Sequence, residues 1–427
     1  MKIVKYASIN LALLLFFALN PYPRWLVSQG IFQIVFFITT TIAFIGLNNL
    51  RGGFVVTKPK IRIFIIAVIY LLYFTTPIVH QFRAGQFLYF IIFLQIIFMN
   101  IMIFNAAYKI LRKIFIYISI FALIFWLLNL IGVPLLYYKF TTIERVNSLD
   151  NYRIYGLAVS LYRGDFPIGG GIERICGVFG EPGHFGIYLG LMLAIEKFNF
   201  NSKQNILLLI TGMLTFSTAF YGILALGIIY RIIEYKKLTK ELIWTLPLLF
   251  VIIIVMLIDT RFFETAVGRV VNTNDVSNIT DLVENRVYDY YIDIFDTFIK
   301  TTDAITGMGY NAEDMIVTNW RGLVYRFGIL GASFMFLLIV SIVIRSDYKY
   351  ALLLGVIALL IILHRVYLMY SPAVYMMILT AISVDEVKKQ INKLHLTTKR
   401  NNEVFLLATK HNISFNEKNT IETIKSV

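Results

Sequence analysis

The chain has 427 residues, 58% of them hydrophobic and 15% charged, with a mean hydropathy of +0.74. That is too apolar for an ordinary soluble domain. Cys176 is the only cysteine, which excludes an intrachain disulfide and a cysteine metal cluster.

The first third reads as five membrane spans, near 4–20, 27–47, 62–80, 86–106 and 113–133, each close to the about 20 apolar residues that cross a bilayer. The opening MKIVKYASINLALLLFFALN has a basic flank and an apolar run. PYPRW follows it in place of a small-residue cleavage site, so a first span is expected rather than a removable leader. Residues 134–181 form the first of two long polar segments. It ends in RICGVFGEPGHFGIYLG, Arg174 to Gly190, where Arg174, Glu181 and His184 arrive among Gly177, Gly180, Gly183 and Gly186. Pro182 suits the first position of a helix, because its missing N–H would be unpaired there anyway. Glu181 and His184 are therefore expected at a helix N-terminus, where free amides and the helix dipole favour an anion. A plainer account makes Glu181 only the cap of a membrane helix.

Four further spans are expected near 182–198, 205–217, 219–234 and 241–258. The stretch 205–234 is long for one span and short for two, and Ser217-Thr218 is expected to divide it into two short helices. The second long polar segment, about 259–322, contains ENRVYDYYIDIFDTFI, whose apolar and aromatic spacing predicts an amphipathic helix at the interface. Loops of this length in a compact fold are usually functional. Three last spans are expected near 323–343, 350–364 and 370–384, the final pair broken at His364-Arg365. The tail 385–427 is polar and Lys-rich, and is expected to be cytoplasmic. The domain reading is thus a transmembrane domain over 1–384 followed by that tail, and the fold class is all-α, polytopic, with about twelve transmembrane helices.

Charge gives the orientation. With twelve spans both termini face the cytoplasm, and alternate loops should be basic inside. The inner segments then hold 25 of the 39 basic residues and 9 of the 25 acidic ones; the outer segments hold 14 and 16. The net charge of +14 is accounted for by topology and does not argue for nucleic acid. Of the outer basic residues, all but Lys139 and Lys300 are arginine, whereas lysine dominates inside. Arginine grips phosphate or carboxylate with a planar fork that lysine lacks. Ordinary loop salt bridges with the outer acids are the competing explanation.

Acidic residues are absent from the middle of every expected span, which argues against a proton- or sodium-coupled transporter. Neither a P-loop nor HExxH occurs. His80, His184 and His364 are too scattered to be assigned as a metal set. Tyrosines crowd the outer segments, as at membrane interfaces, and such rings also stack on sugars.

RICGVFGEPGHFG, Arg174 to Gly186, resembles the motif of O-antigen and capsular repeat-unit polymerases, the Wzy family. Gly307, Gly309, Asn319, Tyr325, Gly328 and Gly331 resemble that family's return into the membrane after its second large loop. The resemblance implies a helical, GT-C-like membrane glycosyltransferase. Its substrates would be oligosaccharides on undecaprenyl pyrophosphate, joined on the outer face of the bacterial cytoplasmic membrane. It implies no metal and no other cofactor, and a chain-length regulator protein as a partner besides the lipid bilayer. Within it, Arg174 and Arg286 are expected to bind pyrophosphate, Glu181 to act as base, and His184 to assist. Arg269, Arg321, Arg326 and Tyr325 are expected to contact phosphate or sugar, and His364 and Arg365 to line the same cavity. An O-antigen ligase, which passes the glycan to lipid A core, stays open, as does a non-enzymatic flippase. A flippase predicts basic residues lining a central cavity, and none is placed there by the sequence.

Overall fold

The structure, a computed structural model, describes residues 2–22, 29–49, 53, 55–75, 84–140, 151–155, 159–163, 173–235, 289–309, 320–365, 368 and 372–410. The expected span near 241–258, Arg269 and Arg286 lie outside the described residues, as does the side chain of His364. The chain separates into two compact units, Met1–Val384 and Asp385–Val427.

The first unit opens with α1 (Lys2–Ala18), α2 (Gln29–Asn48), α3 (Lys58–Thr75), α4 (Ala84–Ile97) and α5 (Ile101–Leu130). The break between the fourth and fifth helices falls at residues 98–100, not near 107–112 as the apolar windows suggested. Asn100 decides it. Its side chain accepts the amide of Met102 at 2.9 Å and caps α5. Lys109, Arg112 and Lys113 consequently ride inside one 30-residue helix. Lys60, buried at the start of α3, donates to the Met99 carbonyl at 2.6 Å and so closes the end of α4.

Between α5 and the next helix lies a sheet, which the all-α expectation did not include. Strands β1 (Tyr138–Phe140), β2 (Asn151–Tyr155), β3 (Val159–Arg163) and β4 (Arg174–Gly177) form an antiparallel meander in that order. Their Tyr, Ile and Val content suits a pleated, half-buried surface. The cue was short and was overshadowed by the apolar helices on either side. Trp126 of α5 donates its indole N–H to the Glu173 carbonyl at 2.8 Å and pins the start of β4.

Three helices follow: α6 (Pro182–Ile195), α7 (Lys203–Met213) and α8 (Thr218–Tyr235). The expected division into two helices is present, but the break covers residues 214–217, so the first helix ends at Met213 and Thr218 already belongs to α8. After the second long segment come α9 (Asp289–Phe298), a short 3-10 turn (Thr302–Ala304), α10 (Trp320–Val343), α11 (Tyr348–Arg365) and α12 (Ala373–Lys410). The amphipathic helix expected in that segment is α9. Helix α12 runs on through the unit boundary into the polar tail, where Lys389 pairs with Asp385 at 2.8 Å.

Gly30–Asn48, Ile101–Leu130 and Trp320–Val343 are long and apolar enough to cross a membrane, and Phe87–Ile97, Pro182–Ile195 and Tyr348–Leu363 are shorter apolar helices. Helix α6 is central: thirteen of its fourteen residues are buried, all but His184. Glycines let its neighbours come close. A Cβ on Gly186 would lie 2.8 Å from Ser217 Cβ, and one on Gly190 2.9 Å from Ile223. Helix α8 thus packs almost against the α6 backbone. The far end of α6 is tied by Arg112, which pairs with Glu196 at 3.4 Å and donates to Asn205 at 2.8 Å.

Candidate active site at the start of helix α6

Strand β4 delivers the motif. Its pairing with β3 aligns Arg174 with Tyr162 and Ile175 with Leu161, then slips, so that Gly177 faces Ser160. This β-bulge leaves Gly177 at φ +59, a left-handed conformation natural to glycine. A Cβ there would lie 2.9 Å from the Phe185 ring. The chain then turns through residues 178–180, held from the end of α1. The Tyr22 amide donates to the Val178 carbonyl at 2.6 Å, and Pro21 bridges to Phe179. Burial pushes the Tyr22 phenol above its ordinary pKa, so that ring stays neutral where it packs. Phe179 stacks on Phe115 at 5.9 Å and meets Phe185 at 5.6 Å. Aromatic packing of this kind fixes the turn to better than a polar loop could.

Helix α6 begins as the sequence indicated, with Pro182 in its first turn and Glu181 at the N-cap position. Glu181 is extended at φ −149, ψ 143, and its carbonyl accepts the amides of His184 at 3.1 Å and Phe185 at 3.3 Å. Its side chain makes no capping bond. The carboxylate instead turns outward to Arg365, the last residue of α11, which donates Nη1–H to Oε2 in an ion pair. The plain account of Glu181 as a cap is thus half met: the backbone occupies the cap, and the carboxylate is engaged elsewhere.

Gly183 makes that pairing possible. A Cβ at this position would lie 3.1 Å from Arg365 Nη2 and 3.6 Å from its Cζ, so the guanidinium lies over the first turn of α6. Cationic arginine and the positive end of a helix dipole both favour an anion. One carboxylate serves both, and the pair keeps contact with solvent: the Arg365 side chain is 14% exposed and that of Glu181 25%. His184 stands half-buried one turn along, its ring 6.4 Å from that of Tyr188.

Arg174 occupies a different position from the one expected of a ligand-binding arginine. It is buried, and it donates Nε–H to the Thr215 carbonyl at 3.0 Å and Nη2–H to the Phe216 carbonyl at 2.6 Å. These carbonyls end α7, in the turn before α8, where Phe216 is held at φ +49. Carbonyls freed by a helix end inside an apolar environment need donors. Arg174 supplies two, and Ser217 Oγ in turn accepts the Phe220 amide at 3.3 Å to start α8. Thr215, Phe216 and Ser217 had no signal in the sequence beyond the polar break itself.

The structure therefore brings Glu181 and Arg365 together, with His184 three residues along the same helix and Arg174 bracing the turn before α8. Arg321, Tyr325 and Arg326 belong to a second assembly at the start of α10. The guanidinium of Arg321 lies over the rings of Trp320 and Phe295, at 5.3 and 5.9 Å. Tyr325 is buried against Phe298, ring centres 4.7 Å apart. The backbone under them is unusual. Gly328 breaks α10 at φ 67, ψ 177, and residues 305–309 insert into the gap. Met308 donates to the Tyr325 carbonyl at 2.8 Å, Gly309 to that of Arg326 at 2.9 Å, and Leu330 to that of Ile305 at 3.1 Å. Tyr73 of α3 offers its hydroxyl to the Phe327 and Thr306 carbonyls at 2.8 and 3.0 Å. Gly307 and Gly328 are both at positive φ, and a Cβ on either would strike the other segment's backbone.

Among the described residues, no group of three or more His, Cys, Asp or Glu is placed to hold a metal ion. No family model, no curated protein and no solved structure matches this chain.

Proposed function

We propose that this chain is an integral-membrane glycosyltransferase that polymerises oligosaccharide repeat units carried on undecaprenyl pyrophosphate, on the outer face of the bacterial cytoplasmic membrane. The observation that supports this reading is the solvent-accessible Glu181–Arg365 pair at the N-terminus of α6, with the carboxylate not used as a cap. A sugar transfer from a lipid pyrophosphate needs a base for the acceptor hydroxyl and positive charge for the leaving group. In the proposed step the acceptor oxygen attacks the anomeric carbon of the growing chain. The bond from that carbon to the pyrophosphate oxygen breaks, its electron pair staying on the phosphate, and the hydroxyl proton passes to Glu181. Arg365 and the first-turn amides of α6 face the departing pyrophosphate. His184 assists from one turn along the same helix. Arg174 acts as a positioning residue through the residue 214–217 turn, and Arg286 and Arg269 remain candidates for the lipid phosphates.

A gene-deletion strain tests the reading. Loss of a polymerase leaves a single repeat unit on the final acceptor, and complementation restores the ladder of longer chains on a gel. Loss of a ligase would leave none, and an unchanged ladder would remove both.

A further inference from the structure

The side chains of α9, the 3-10 turn after it and Tyr325 enclose an open cavity of about 440 Å³. That is within the about 300–1,000 Å³ typical of small-molecule sites. Its two surfaces differ. Asp293, Thr297, Thr301 and Asp303 form an exposed rim, while Phe298 and Tyr325 are buried in the floor. Ile294 and Met308 complete the apolar part of the lining. Asp293 and Thr297 are four residues apart and so share a face of α9.

The rim is made of acceptors. Thr297 gives its hydroxyl hydrogen to the Asp293 carbonyl at 2.9 Å, and Thr301 gives its own to the Phe298 carbonyl at 2.7 Å. What both hydroxyls turn outward are lone pairs, and ionised carboxylates are acceptors only. None of the described residues lining the cavity is basic. The complement is therefore a molecule rich in donors, without negative charge, and with an apolar face for the floor. The aromatic floor takes C–H groups or an ammonium equally well, and a phosphate or uronate would meet two carboxylates. A neutral or amino-bearing sugar ring meets every condition, with hydroxyl or ammonium donors at its edge and C–H groups on its face.

Rigidity supports the same conclusion. Gly307 donates to the Asp303 carbonyl at 2.6 Å and Met308 to the Tyr325 carbonyl at 2.8 Å, so rim and floor are stitched together by backbone bonds. A site held in one geometry loses less entropy on binding. The cavity sits at the start of α10. Helix α10 returns through the short 344–347 link into α11, so the start of α10 and Arg365 lie at the same end of the helix pair.

We propose that this cavity is a subsite for a non-acidic sugar of the glycan, separate from the Glu181–Arg365 pair at the start of α6. The assignment rests on the glycosyltransferase reading only for the source of the sugar. The test uses the full-length protein in lipid nanodiscs and an array of neutral, amino-bearing and uronate oligosaccharides of two to four rings. At least one neutral or amino-bearing member should bind, and no uronate. The double variant Asp293→Asn/Asp303→Asn should weaken that binding by about tenfold or more, as expected for lost hydrogen bonds to charged acceptors. Asp296→Asn, on the same helix outside the lining, should leave it unchanged. Binding of uronates, no binding at all, or equal binding by wild type and the double variant overturns the subsite. Sugar binding by a protein that makes no polymer from lipid-linked repeat units would retain the subsite and remove the polymerase.

Discussion

Glu181 and Arg365 define what single residues do here. If Glu181 takes the acceptor proton, Glu181→Gln keeps its shape and hydrogen bonding but cuts turnover by about 10²–10⁴, the usual worth of a general base. Gel ladders from strains with equal protein levels check this, and a normal ladder would return Glu181 to a purely structural role. Arg365→Lys keeps the charge and loses the fork. Combined with Glu181→Gln it should cost much less than the two single losses summed, because residues in one ion pair couple. Arg174→Lys tests something else. Lysine cannot serve the Thr215 and Phe216 carbonyls with the same planar geometry, so stability should fall by about 1.5–3 kcal/mol, the scale of hydrogen bonds to charged groups. Thermal melting in detergent is the measurement, and an unchanged melting temperature would free Arg174 for a ligand. Glu181, His184 and Arg174 were legible because charged residues and glycines are conspicuous in an apolar chain. That Arg365 is the partner of Glu181 was not. The two are 184 positions apart, and only the packing of helices reveals which arginine arrives.

At the scale of elements, the most informative feature is the broken start of α10. Gly328→Ala forces an L-residue to φ 67 and drives its methyl into the Ile305 carbonyl. Strain of this kind costs on the order of 1–3 kcal/mol, and the clash adds to it. Gly355→Ala, within α11 with nothing within 4 Å of its added methyl, should be neutral or stabilising by about 0.5–1 kcal/mol. The melting temperature should fall for Gly328→Ala and hold or rise for Gly355→Ala. The helices themselves were readable because apolar runs dominate the signal. Their junctions were less so. Lys109, Arg112 and Lys113 looked like a loop by charge, yet Arg112 is neutralised by Glu196 and stays within α5. The meander of β1 to β4 was hidden because strands of three to five residues leave little periodicity.

For the whole molecule, the charge distribution makes a prediction that contacts cannot. Reporter fusions after Gly164 and Asn274 should report the outer side, and fusions after Lys58 and Lys237 the cytoplasm. One reversal would displace the candidate site from the outer face that the proposed reaction requires. The interlock at Gly328 also has a consequence for biosynthesis. Tyr73, in the third helix to leave the ribosome, receives its Phe327 acceptor 254 residues later. At about 5–20 residues per second, that acceptor is synthesised roughly 13–50 seconds after Tyr73. Until then α3 lacks the α10 face it packs against, and Tyr73 lacks that acceptor. A nascent chain halted before Trp320 should therefore be captured by insertase chaperones, and one halted after Val343 released from them, which places the commitment step of assembly in the last quarter of translation.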